Sequence, residues 1–156
     1  MPRLLEHRIP PPVIDAACVA LMWWLAKLVP QAQLWPRGGA ALVLALALAL
    51  AGALIALAGV REFARVRTTI NPLAPARASS LVTSGIFGHT RNPMYLGMLL
   101  ALLGWAVYLG SAAALPGPLL SVLLLNQLQI KPEERALRQR FGAEFDRYAA
   151  RVRRWV

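Results

Sequence analysis

The chain has 156 residues, 58% of them hydrophobic, with a mean hydropathy of +0.51 and a formal charge of +10. That length sets a single domain, residues 1–156, and that composition lies outside the ordinary soluble range, in the class of small integral membrane proteins. No aromatic-basic binding module accompanies the charge, which argues against nucleic acid and for anionic headgroups or an anionic ligand; Cys18 alone forms no disulfide, and His7 and His89 alone are too few for a protein metal site.

A bilayer core takes roughly 20 apolar residues per helix. Four segments predict spans, at approximately 13–29, 40–60, 94–110 and 112–130, making this an all-α membrane bundle. The first follows IPPP and ends at Pro30, and its apolar run, with Trp23 and Trp24, reads as a retained helix and not a cleaved signal peptide. The second contains ALALALAL, which alternates like a strand, yet its uninterrupted length decides for helix. The third and fourth, joined through GSAAALPGP, read as a helical hairpin, in which Gly97 and Gly104 are packing positions.

The polar segments complete the topology. All but Lys27 and Arg37 of the 17 Lys and Arg residues fall in the N-terminal arm, in a loop at 61–93 or in a tail at 131–156. The excess of positive charge places both termini and that loop on the cytoplasmic side. The loop includes NPLAPARASS, a connecting composition. In the tail Leu137, Phe141, Phe145, Tyr148 and Val152 recur at three- and four-residue steps, predicting an amphipathic helix broken at Gly142 and lying on the headgroups, with Trp155 as interfacial anchor. High Ala, Arg, Gly and Pro usage suggests a GC-rich bacterial genome and hence the inner membrane.

The chain contains no Walker loop, GxSxG elbow, HExxH or GxGxxG. Two polar constellations remain: His89, Arg91, Asn92 and Tyr95 at the start of the third span, and Glu133 and Glu134 followed by Arg138, Glu144, Tyr148 and Arg151. The hairpin returns the second group to the end where the first begins. Together they offer a cation and donors for a carboxylate, and carboxylates for an ammonium, a pattern that suits an amino-acid-like zwitterion. Asn126, Gln127 and Gln129 add amides expected to point inward. Each element also has a structural role open to it: Asn92-Pro93 as helix cap and first turn, Arg91 on lipid phosphate, Tyr95 in an aromatic belt, and Glu133-Glu134 as an acidic first turn.

SGIFGHTRNPMYLGM followed by EERALRQRFGAEFDRYAARVRRW resembles the isoprenylcysteine carboxyl methyltransferase family and the related phospholipid methyltransferases, over residues 81–155. The first two spans carry no such resemblance beyond being apolar. What it implies is a membrane-embedded methyltransferase using S-adenosylmethionine, with a cofactor box of His89, Arg91, Asn92, Pro93 and Tyr95, an acidic pair Glu133 and Glu134 for the methionyl ammonium, and Glu144, Tyr148 and Arg151 on the acceptor side. Many carboxyl-methylating members carry His where Asn92 stands, so a titrating base at that position is excluded here.

The function expected is methyl transfer to a lipophilic or membrane-partitioning small molecule, with prenylcysteine carboxylate, phospholipid amine and small thiol all open, and membrane lipids as surroundings. The competing reading is a noncatalytic membrane scaffold or accessory protein with an Arg-rich lipid-binding tail. Two features favour the enzyme: the coincidence of the two polar groups, which a lipid-binding tail does not need, and a water-soluble cofactor's need for a polar mouth at the lip of the span.

Overall fold

A computed structural model describes residues 9–66 and 79–156. Arg3, His7, Arg8, Arg67, Arg77 and the stretch 71–78 lie outside the described residues. The helices are α1 (Pro11–Leu28), α2 (Gly39–Val66), α3 (Pro93–Leu109), α4 (Pro116–Leu125), α5 (Lys131–Phe141) and α6 (Ala143–Arg151). A π-helical turn, Asn126–Ile130, joins α4 to α5 without a break. Among the described residues no strand forms beyond an isolated bridge between Gln33 and Ser111.

The protein is an all-α integral membrane protein. Among the described residues three helical stretches are long and apolar enough to cross a membrane: α1, α2 and the continuous helix Ala112–Phe141. The 17-residue α3 is a shorter apolar helix. In the continuous helix the apolar part ends at Ile130, and Lys131 begins a charged continuation. Helix α2 runs to Val66, so residues 61–66, expected in the loop, are instead helical. Arg61, Glu62 and Arg65 take part in the same hydrogen-bonded ladder as the apolar run before them, which carries the helix past the apolar boundary.

The main packing seam is α2 against α3. A Cβ on Gly52 would strike the Gly97 carbonyl, one on Gly97 would strike that of Gly52, and one on Gly104 would meet the Ala45 carbonyl. The seven-residue spacings, 45 and 52 on one helix and 97 and 104 on the other, let two backbones lie in contact where lipid supplies no hydrophobic drive for association. On the other side of α3, Cys18, Met22 and Ala26 of α1 pack with Leu102, Ala106 and Leu109. The Ser121 hydroxyl of α4 donates to the Asp15 carboxylate of α1 at 2.5 Å, so a charge-bearing group at membrane depth has a partner.

The tail packs against protein. Its predicted break is present at Gly142, whose φ of +51° separates α5 from α6. Its apolar face meets Val82 and Phe87, with Phe63 and Val66 of α2 alongside. Trp155 packs with Tyr95, Leu125 and Ile130. An apolar helical face is satisfied equally by lipid or by protein, and here the end of α2 and the Val82–Phe87 segment offer the protein surface.

Candidate active site

The polar end of α3 is built on a proline. Pro93 takes the first helical position, where its missing N–H leaves nothing unsatisfied. Asn92 occupies the N-cap position but makes no side-chain cap; its amide instead donates to the Arg154 carbonyl at 2.8 Å. The backbone N–H of Arg91 donates to the Arg153 carbonyl at 3.1 Å, and the Thr90 hydroxyl to the Arg154 carbonyl at 3.4 Å. Residues 152–155 thus form a strap laid across the mouth of α3.

Arg91 organises this end. One terminal nitrogen donates to the carbonyls of Ala149 and Val152, each at 2.8 Å, and the other to Glu134 at 2.7 Å. These carbonyls lie in the last turn of α6 and at its cap residue Val152, where no further amide of the helix reaches them, so the cation also complements the helix dipole. Arg154 grips the same carboxylate with two donors, at 2.9 and 2.5 Å. Glu134 is therefore shared between two guanidiniums. Burial alone would raise its pKa, but the hydrogen bonds from Arg154 and Arg91 outweigh burial and leave the carboxyl below its ordinary value.

Glu133, the neighbouring carboxylate, has the opposite environment. Among the described residues its hydrogen bond comes from the Tyr95 hydroxyl at 2.5 Å. Burial pushes its pKa up to about 8, against the opposing effect of the Tyr95 bond and with a smaller push from the Glu134 charge. Two adjacent glutamates are thereby split into one committed anion and one carboxyl poised to lose or keep its proton near neutrality. Tyr95 is only 5% exposed and belongs to this site, not to an aromatic belt.

Among the described residues, four buried polar atoms of the elements that build this end have no hydrogen-bond partner: Arg91 Nε, Trp155 Nε1, Gln129 Oε1 and Asn126 Oδ1. Gln129 is fully buried, its amide nitrogen donating to the Ile9 carbonyl at 2.6 Å, while Gln127 is exposed and paired with Lys131. Of the three amides expected to point inward, Gln127 does not. The widened turn that carries them lies just ahead of Pro132, whose absent N–H interrupts the regular helical ladder, and such turns recur at functional sites.

The remaining expected residues fall elsewhere. His89 is exposed and makes no side-chain hydrogen bond among the described residues. Glu144, Tyr148 and Arg151 do come together, lining a cavity of about 520 Å³ with Thr83, Arg147 and Ala150. Tyr148 is buried, its hydroxyl donating to the Phe87 carbonyl at 2.8 Å, and burial raises its pKa. Arg154, Trp155 and Thr90 were missed by the sequence reading. Arg154 looked like one more cation in a basic tail, and only its place at the end of the strap distinguishes it.

Among known proteins, the phospholipid methyltransferase family model matches residues 40–144, about two-thirds of the chain. The match takes in α2, which sequence reading had left outside the resemblance. An uncharacterized protein of Haemophilus influenzae is 46% identical over 63 residues, covering 40% of this chain and 100% of that protein. No solved structure matches. With two-thirds of the chain matched and the box 91–97 joined to Glu133 and Glu134 at one end of an apolar bundle, the chain belongs to the phospholipid methyltransferase family, a family of membrane methyltransferases.

Proposed function

We propose that this protein transfers a methyl group from S-adenosylmethionine to a lipophilic, membrane-partitioning acceptor, from the cytoplasmic face of a bacterial inner membrane. The observation that carries the reading is the Tyr95–Glu133 pair, a buried carboxyl held by a neutral hydroxyl and, among the described residues, without a guanidinium partner. A carboxyl of that kind is suited to an arriving ammonium. The four partnerless atoms nearby supply further donors and acceptors for a polar ligand, so the residues present fit such a cofactor. Glu134, expected to share the ammonium, is assigned instead to holding Arg91 and Arg154 in place.

When bound, the cofactor supplies an electrophilic methyl on a sulfonium; the acceptor's lone pair forms the new bond to carbon as the carbon–sulfur bond breaks and its electrons return to sulfur. The protein's part is positional. Glu133 and Tyr95 orient the ligand, the strap and Trp155 exclude water, and the α3 mouth places a soluble ligand beside the apolar layer. A carboxylate acceptor arrives ionised and requires no base, which is consistent with Asn92 at a position where no proton can be taken. An amine acceptor has first to release its proton.

Calorimetric titration of S-adenosylmethionine, and of its demethylated product, into the detergent-purified protein tests this reading. Saturable binding is expected and is lost in Glu133→Gln. Because the free carboxyl titrates at about 8, binding of an ammonium near pH 7 must expel a proton. The measured heat should therefore change between buffers of different ionisation enthalpy, in the direction of proton release. A folded, lipid-supplemented protein that binds neither compound would instead favour the noncatalytic scaffold.

A further inference from the structure

Three successive prolines, Pro10, Pro11 and Pro12, open the first span. They have no N–H groups, so the Ile9 carbonyl finds no donor close by in the chain, and the first amide that follows, that of Val13, goes to the Pro10 carbonyl at 2.9 Å. The donor comes instead from 120 residues further on, the Gln129 amide nitrogen, at 2.6 Å. Ile9 lies outside residues 40–144, so this bond ties a part of the chain beyond the family match to the candidate site.

The same bond settles which way the Gln129 amide faces. A carbonyl accepts and cannot donate, so Nε2 must lie toward Ile9 and Oε1 on the other side. Gln129 is fully buried, and its Oε1 has no hydrogen-bond partner among the described residues. An amide oxygen in that condition is costly, the more so at the end of an apolar stretch that reaches only to Ile130.

Its place points to a use. Gln129 precedes Glu133 by four residues, so the two side chains leave one face of the helix about 6 Å apart. The π-helical turn ends at Ile130 and regular α-helix resumes at Lys131, which keeps that face shared. Ile9, which holds the amide, and Tyr95, which holds Glu133, pack in one cluster with Ile130 and Trp155. Tyr95 donates to Glu133 Oε1, so among the described residues Glu133 Oε2 and Gln129 Oε1 stand as two acceptors on one side of the helix. A lone hydroxyl or a single N–H would leave one of them unmet. An ammonium, with three N–H donors on one atom, meets both.

On the reading that S-adenosylmethionine binds at Glu133, on which this inference rests, we propose that Gln129 Oε1 is a second acceptor for the cofactor's ammonium, oriented by the Ile9 carbonyl. Glu133 supplies the charge and Gln129 the direction. Held at two points, the ammonium does not pivot about a single contact, and the reactive end of the ligand keeps its place beside the apolar layer.

Calorimetric titration of the full-length, lipid-supplemented protein with the demethylated product, and with a deaminated analogue in which hydrogen replaces the amino group, tests this. Gln129→Met, which keeps the length of the side chain and removes both polar atoms, should bind the product about tenfold more weakly than wild type does. The analogue has no ammonium to lose, so variant and wild type should bind it equally, which also shows the variant site to be folded. Equal weakening toward both ligands overturns the proposal by making Gln129 a structural residue. Unchanged affinity for the product overturns it by assigning Oε1 to a water. A wild type that binds neither ligand removes the cofactor reading itself, an outcome distinct from a wild type that binds the product no better than the variant. Should Gln129→Met not fold, Gln129→Asn, one methylene too short to reach Ile9 and the ligand together, reads the same selective loss.

Discussion

The two ends of α3 solve the same problem by different means. At the C-terminal end, freed carbonyls are met by neutral or singly charged donors from the segment before α2: Trp35 Nε1 on Val107 O at 2.9 Å, Gln33 Nε2 on Leu109 O at 3.1 Å, Arg37 Nε on Leu109 O at 3.4 Å, and the Leu34 amide on the Gly110 carbonyl at 2.7 Å. Such contacts finish a helix and close a bundle. At the N-terminal end the side chains do not cap the helix. Asn92 turns away from the cap to hold the strap, Arg91 reaches α5 and α6, and Glu133 has, among the described residues, the neutral Tyr95 hydroxyl as partner. Both ends leave buried polar atoms without a partner among the described residues, the Ser111 hydroxyl at the first and Arg91 Nε at the second, but only the second also buries a carboxyl, that of Glu133. In a folded membrane protein that difference marks where a ligand has a place.

The largest test of this contrast is Glu134→Ala. It leaves Arg91, whose side chain is 13% exposed, without its carboxylate and releases Arg154. A loss of about 3 kcal/mol in unfolding free energy is expected, with the strap detached. Equilibrium unfolding in mixed micelles measures it, and an unchanged stability would show the network to be dispensable.

Next comes the pH dependence set by Glu133. Its folded pKa of about 8 lies above the unfolded value of about 4.3. The folded state therefore holds a proton that the unfolded state has released. This contribution to stability is fully present below about pH 4 and is lost as pH rises through about 8. Glu133→Gln should flatten that decline while abolishing cofactor binding. A variant that loses binding and stability together would instead make Glu133 a structural residue like those at the opposite end.

Smaller effects are expected at the C-terminal end. Gly110 has φ +59°, and a Cβ there would crowd Trp35 O and Gln33 Nε2, so Gly110→Ala should cost about 1–2 kcal/mol without changing cofactor affinity. Trp35→Phe removes one partly exposed hydrogen bond and should cost under about 1 kcal/mol, again with affinity unchanged. A drop in affinity from either would join the two ends into one functional unit.

Much of this was legible in the residues. Length and hydropathy marked the four apolar segments, Pro93 marked a helix start, Gly142 a break, and the Gly97 and Gly104 spacing a packing seam, because each acts through local backbone geometry or through a period of the helix itself. The hairpin topology was enough to bring Arg91 and Tyr95 to the same end as Glu133 and Glu134, where they pair. The notional loop at 61–66 failed because a charged residue does not end a hydrogen-bonded ladder. The tail's apolar stripe was read correctly as a stripe but assigned to lipid.

By itself, then, the sequence determined that this is a helical membrane protein with its polar residues gathered around one hairpin, since apolar length and helical period are properties of a segment alone. Which of two adjacent glutamates stays an anion, which face of α6 meets Arg91, and where Arg154 and Trp155 lie were decided only by the tertiary structure. Glu133 and Glu134 are chemically identical in the chain. They diverge because protonation depends on which partners and how much water surround each carboxyl, and those arrive from residues some 20 to 43 positions away.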